Sequence, residues 1–222
     1  MEELPHVLLV GDGAERFAGE MGFPERTLLT PEAEQVWREI FEGRVPSVYH
    51  DRLPYLESLR RYARLAVDPE RPGETVNFIA RDGRGNLAAG VSTSGWAWKY
   101  PGRLGDSSVI GAGNYADRRY GAAACTGRGE MAMRLCTAHS VVMHLKMGMS
   151  VVEAGTQATK DLVDLVDPYF GRVSIVAVDA RGNHAAFSNA PDTTYVYITD
   201  SMETFVEAPR IHVAAAEKGK TL

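Results

Sequence analysis

The chain has 222 residues, 45% hydrophobic and 24% charged, with a formal net charge of -5, which is ordinary globular usage and length for one substantial core. The acidic balance and the shortness of its basic clusters, Arg60-Arg61, Arg118-Arg119 and Lys218 with Lys220, argue against nucleic acid as a partner. Cys125 and Cys136 have no CxxC spacing, which excludes a disulfide framework or a zinc motif and fits a reduced, cytoplasmic setting.

The opening "MEELPHVLLVGDG" is acidic where a signal peptide is basic, and its apolar run is too short for a bilayer, so no membrane segment is expected. His6 to Val10 reads as a short strand, and "GDGAERFAGEMGF" as a glycine turn entering a helix. The GDG turn lacks the third glycine of a dinucleotide fingerprint and the Lys-Ser/Thr of a phosphate loop, so a nucleotide site is disfavoured. Thr30-Pro31 is a good helix start and predicts a helix over 31–42. A second helix is expected over 54–66, carrying Leu56, Leu59, Tyr62 and Leu65. "VDPERPGE", residues 67–74, combines prolines, glycine and charges as an exposed linker does.

Two later stretches, "VNFIARDGRGNLAAGVST" and "VSIVAVDARGNHAAFSN", share one template: apolar strand, Asp, one residue, Arg-Gly-Asn, one residue, Ala-Ala. Each reads as a β-hairpin whose Gly-Asn supplies the positive φ of the turn. Between them, two amphipathic helices are expected over 129–147 and 151–166, the second opened by a Ser150–Glu153 capping box and stopped by Pro168. Strand pairs flanking helices call for an antiparallel sheet covered by helices, an α+β fold.

Candidate chemistry gathers between the first hairpin and the first of these helices, in a glycine-dense stretch over 92–131. Glycine at that density costs backbone entropy, so it marks either surface turns or close approach to a ligand. Arg103 and Asp106 offer a guanidinium fork for a carboxylate and a carboxylate for an ammonium, together a clamp for the head of a free α-amino acid. The same pair fits a surface salt bridge equally. "CTGRGEM" brings the Thr126 hydroxyl and the Gly127 amide toward a helix N-terminus, as an oxyanion hole requires, and as a plain N-cap also does. Thr75 opens a strand behind the exposed linker. A cut between Glu74 and Thr75 gives that residue a free amine beside its hydroxyl, so one residue supplies nucleophile and base. Left uncut, Thr75 is an ordinary β-branched strand residue.

With these blocks in view, the chain resembles the glycosylasparaginase and plant-type asparaginase (isoaspartyl peptidase) family of N-terminal-nucleophile hydrolases. The likeness runs from "HVLLVGDGAERFA" through "TVNFIARDGRGNLAAGVSTSG", "PGRLGDSSVIGAGNYAD" and "CTGRGE" to the last hairpin. It implies an αββα sandwich, incomplete at its N-terminal side, made as a precursor that cleaves itself before Thr75. Residues 1–74 are then the end of an α-subunit segment and 75–222 the β-subunit segment, which stay associated within one structural domain. A homodimer is the expected assembly. The resemblance further implies that Thr75 attacks the side-chain amide of glycosylasparagine, asparagine or a β-aspartyl peptide, with no metal or organic cofactor. It casts Thr93 as support for the nucleophile, Arg103 and Asp106 as binders of substrate carboxylate and ammonium, and Thr126 with Gly127 as oxyanion donors. Two positions depart from the family pattern: Glu74 stands where aspartate or glycine is usual, and Asn77 where glycine is usual. A truncated, unprocessed relative that only binds an amino acid or a partner is the alternative. Trp96 and Trp98 suit either a sugar platform or sheet packing, and His139 with His144, five apart on a helix, are poorly spaced for one metal.

Overall fold

The structure, a computed structural model, describes residues 8–42, 44, 75–95, 99, 102–166 and 171–214. The chain divides into two compact units with the break after Val45. In the first, helix α1 spans Gly11–Glu20 and α2 spans Pro31–Phe41. The expected strand over 6–10 is not formed in its described part. Leu8 and Val10 are exposed, Val10 is the extended N-cap of α1, and the GDG run becomes the first turn of the helix, with Gly11 at φ +60°. An apolar run becomes a strand only beside a hydrogen-bonded neighbour, and no described strand pairs with this one. The start of α2 follows its sequence signal, since Thr30 Oγ1 accepts the Ala33 N–H at 3.2 Å. The helix expected over 54–66 and the linker over 67–74 lie outside the described residues.

In the second unit, β1 (Thr75–Arg81) and β2 (Leu87–Thr93) form an antiparallel hairpin with Thr75 opposite Thr93 and Arg81 opposite Leu87. Its strands alternate as a half-covered sheet does: Thr75, Asn77, Ile79, Leu87, Ala89 and Val91 are half-buried, while Val76, Phe78, Ala88 and Gly90 are exposed. Strands β3 (Asn114–Asp117) and β4 (Gly121–Gly127) follow. Helices α3 (Gly129–Leu135), α4 (Thr137–Lys146) and α5 (Val151–Val163) come next. Then come β5 (Val173–Asp179), β6 (His184–Ser188), β7 (Thr194–Tyr197), β8 (Val206–Pro209) and β9 (Ile211–His212). The order β3-β4-β5-β6-β9 makes a five-stranded sheet, antiparallel except at β6–β9, and β7–β8 pair separately. The two hairpins of the template therefore belong to different sheets, with β1 and β2 lying against β4.

Strand β4 explains how the layers fit. Its run Gly-Ala-Ala-Ala-Cys is buried throughout, as a strand covered on both faces must be. Ala123 and Cys125 join the helix-side core with Met131, Val141, Val142, Ala154, Leu162, Ile175 and Phe187. Alternation turns Ala122, Ala124 and Thr126 toward the hairpin. The result is a mixed α/β fold whose second unit stacks helices, a sheet and a second, two-stranded sheet. No described helix is long and apolar enough to cross a membrane.

Three local expectations are corrected. The single helix expected over 129–147 is two helices, because Cys136 sits in the left-handed region at φ 46°, ψ 49°, ending α3 and starting α4. The helix from Val151 ends at Val163, short of 166, while its Ser150–Glu153 capping box is formed as expected; Pro168 lies outside the described residues. In the hairpin tips only the glycines, Gly85 at φ 80° and Gly182 at φ 97°, take positive φ. The asparagines instead tie back to the loop's own aspartate. Asp82 accepts the Arg84 and Asn86 N–H groups at 2.9 and 2.8 Å and the Asn86 side-chain amide at 2.8 Å. Asp179 repeats the pattern with Arg181 and Asn183 at 2.8, 2.9 and 2.7 Å.

Candidate active site

Thr75 is the first residue of β1 and Thr93 the last of β2, so their pairing in register brings two hydroxyls side by side at the open end of the hairpin. Thr75 Oγ1 donates to Thr93 Oγ1 at 3.1 Å, and Thr93 Oγ1 also accepts the Gly95 N–H at 2.9 Å. Asn77, two residues along β1, shares the inward face with Thr75, about 6.7 Å away by strand rise. Its Nδ2 donates to Thr126 Oγ1 at 2.7 Å, joining the hairpin to the end of β4.

Thr126 and Gly127 close β4 opposite Ser174 and Val173. The helix that follows starts at Gly129 with Arg128 as N-cap, so Thr126 is a strand residue and the N-cap reading does not hold. Gly127 is held at φ 122°, and a β-carbon there would lie 2.0 Å from the Arg172 carbonyl oxygen. Only glycine lets β4 and the segment entering β5 approach that closely, and Gly127 itself is exposed at the strand end.

Arg103 and Asp106 come from the glycine-rich loop, Asp106 opening a single 3₁₀ turn, Asp106–Ser108, that touches β2, β4 and α3. The surface salt bridge between them is not the observed pairing. Arg103 Nε and Nη2 both donate to Glu130 Oε1, at 3.0 and 2.9 Å, with the arginine side chain 15% exposed. Glu130 Oε2 stands 3.3 Å from Arg128 Nη1, so one carboxylate braces two guanidinium groups. Asp106 is buried, and its carboxyl is pushed up to about 6, chiefly by desolvation, against the opposing pull of its own backbone N–H and of Arg103. Gly129 makes this possible: a β-carbon on it would sit 2.7 Å from Asp106 Oδ1.

Thr75, Thr93, Thr126 with Gly127, and Arg103 with Asp106 thus come from four segments, β1, β2, β4 and the glycine-rich loop, linked by the Asn77–Thr126 bond and by the contacts of the 3₁₀ turn with β2 and β4. Glu74, Trp96 and Trp98 lie outside the described residues. Two polar groups of the site did not enter the sequence reading as functional: Glu130, the only acid in "CTGRGEM", and the side chain of Asn77. His139 packs edge-on against Tyr115 at 4.9 Å, and His144 Nδ1 lies 3.4 Å from the Ala154 carbonyl. Among the described residues no group of three His, Cys, Asp or Glu side chains stands together.

Chemically, the arrangement offers a hydroxyl nucleophile braced by a second hydroxyl. Beside these stand a hydroxyl and a backbone N–H at a strand end, and a cationic and an acidic group for a zwitterion. Comparison with known proteins shows the family. A protein-family model described as Asparaginase matches residues 1–207. A plant-type L-asparaginase of Pyrococcus horikoshii is 38% identical over 205 residues, covering 91% of this chain and 63% of that protein. Its counterpart in Pyrococcus abyssi is 35% identical with the same coverage. An N(4)-(beta-N-acetylglucosaminyl)-L-asparaginase of Elizabethkingia miricola is 34% identical over 84% of this chain and 51% of that protein. The chain spans less than two thirds of the length of these curated relatives.

Proposed function

Because the chain belongs to the asparaginase family, we propose that it hydrolyses the side-chain amide of asparagine-type substrates, with Thr75 as nucleophile after cleavage of the Glu74–Thr75 bond. The observation that carries the reading is the Thr75–Thr93 hydroxyl pair at the end of a hairpin in register.

In the precursor, Thr75 Oγ attacks the Glu74 carbonyl carbon, the peptide bond gives way to an ester, and water hydrolyses that ester. This leaves residues 1–74 and 75–222 as separate segments and frees the Thr75 amine. In turnover the amine takes the Thr75 hydroxyl proton as Oγ attacks the substrate's side-chain carbonyl carbon. The negative oxygen that forms is met by the Thr126 hydroxyl and the Gly127 N–H. The C–N bond breaks, the leaving nitrogen takes the proton held by the amine, and a β-aspartyl ester remains on Thr75. Water, deprotonated by the same amine, attacks the ester, releases aspartate and restores the hydroxyl. Arg103, braced by Glu130, receives the substrate α-carboxylate, and the Asp106 carboxylate its α-ammonium. Glycosylated asparagine, free asparagine and β-aspartyl peptides all present this amide, and the pocket beyond the clamp selects among them.

Intact-mass spectrometry paired with amidase assays on the three substrate types tests this. The parent chain is expected to split between Glu74 and Thr75 and to turn over at least one amide, while Thr75→Ala stays whole and inactive. Turnover retained by Thr75→Ala would sink the mechanism. A parent chain that stays uncut and inactive would favour a protein that only binds the amino acid.

A further inference from the structure

We infer that Asn77 is a positioning residue for this hydrolysis, acting through Thr126: its side-chain amide fixes the orientation of the hydroxyl that faces the developing oxyanion. The inference rests on the functional reading above.

A threonine hydroxyl has one proton and two acceptor lone pairs, and rotates to suit its partners. Asn77 Nδ2 donates to Thr126 Oγ1 at 2.7 Å, a short contact for an N–H donor, from the β1 side. That bond occupies a lone pair and directs the hydroxyl's own proton away from β1. It also polarises the O–H, which strengthens it as a donor in turn. A carbonyl or carboxylate in the same place would do the reverse and capture the proton. The donor cannot drift, because β1 is locked in register with β2 on both sides of Asn77, with Thr75 opposite Thr93 and Ile79 opposite Ala89. Nucleophile and oxyanion donor are therefore set by one short segment, with Thr75 and Asn77 on the same face. Asn77 is also a position where the sequence departs from the family pattern, so this device belongs to this chain's own residues.

A plain structural tie between the two sheets would show the same hydrogen bond, so the test separates the two roles. Turnover of L-asparagine and a β-aspartyl peptide is measured for the parent, Asn77→Gly, Thr126→Ala and the double variant, each normalised to the cleaved fraction by intact mass. Asn77→Gly is expected to lower kcat by about tenfold with KM within about twofold, a partial loss of one oxyanion donor. In the Thr126→Ala background the same change is expected to alter kcat by less than about twofold, the coupling of residues that act as one unit. The near-isosteric Asn77→Asp retains the volume and reverses the polarity. Its kcat is expected to fall below that of Asn77→Gly at neutral pH and to recover as the pH drops and the new carboxyl protonates. Equal losses in both backgrounds, a loss confined to KM, or identical pH profiles for the Asp and Gly variants would each overturn the inference alone. Absence of turnover in the parent on every amide would overturn the functional reading, and the inference with it.

Discussion

Burial lifts the Asp106 carboxyl to about 6, and the sign of that shift sets how stability follows pH. Between an ordinary aspartate value and about 6 the folded chain holds a proton that the unfolded chain has released, so stability falls as pH rises through that window. Above about pH 6 the full penalty applies, roughly 3 kcal/mol for a shift of this size. Asp106→Asn is therefore expected to be more stable than the parent at pH 8 and no more stable at pH 4, which urea unfolding at the two values would check. The proposed substrate ammonium needs the ionised form, so KM should also rise as pH drops below about 6; a flat KM there would separate Asp106 from ammonium binding. Arg103 and Asp106 were legible as a pair because they are close in the chain and unlike their glycine neighbours. Their bracing was not: Glu130 meets Arg103 across 27 positions and Asn77 meets Thr126 across 49, contacts that exist only after the layers have stacked.

Among the elements, the hairpins were readable because each tip is closed by its own residues: aspartate accepts, glycine turns, asparagine ties back. The break between α3 and α4 was not, since apolar periodicity runs through it with neither proline nor glycine to mark it. Cys136 takes the left-handed conformation that glycine usually fills at a helix end. Removing its β-carbon relieves that strain, roughly 1–2 kcal/mol less the ~0.4–1 kcal/mol of added unfolded-state entropy, so Cys136→Gly is expected to stabilise by up to about 1 kcal/mol and Cys136→Val to destabilise. Thermal unfolding of both checks this, and a lower midpoint for the glycine variant would mean that the thiol's packing outweighs the backbone term. The strand expected at the chain start failed for the opposite reason. A run of apolar residues has no preference for strand until something pairs with it, and the glycines beside it continued into helix.

At the largest scale, that of the second unit, apolar side chains remain in water among the described residues. The outer face of β1–β2 carries Val76 at 51% and Phe78 at 67% exposure, apolar groups of a kind that promote association when left in water. Phe78→Lys is expected to reduce dye binding and concentration-dependent light scattering with little change in unfolding midpoint; unchanged scattering would place the association elsewhere.

Strand β1 itself carries two side-chain ties to the five-stranded sheet. Asn77 bonds Thr126 on β4, and Arg81, at the other end of β1, donates from Nε to the Ala180 carbonyl at 3.1 Å in the remote tip. Between those points β1 is a stiff beam about 13 Å long, and Thr75 overhangs the nearer one by about half that. With Asn77 as fulcrum, a 1 Å displacement at the tip would swing Thr75 by roughly 0.5 Å the other way, on a scale where about 1 Å of misplacement of a proposed nucleophile can cost two orders of magnitude in rate. The loop at Ala180, remote in sequence, therefore has mechanical leverage over Thr75, the residue proposed as nucleophile.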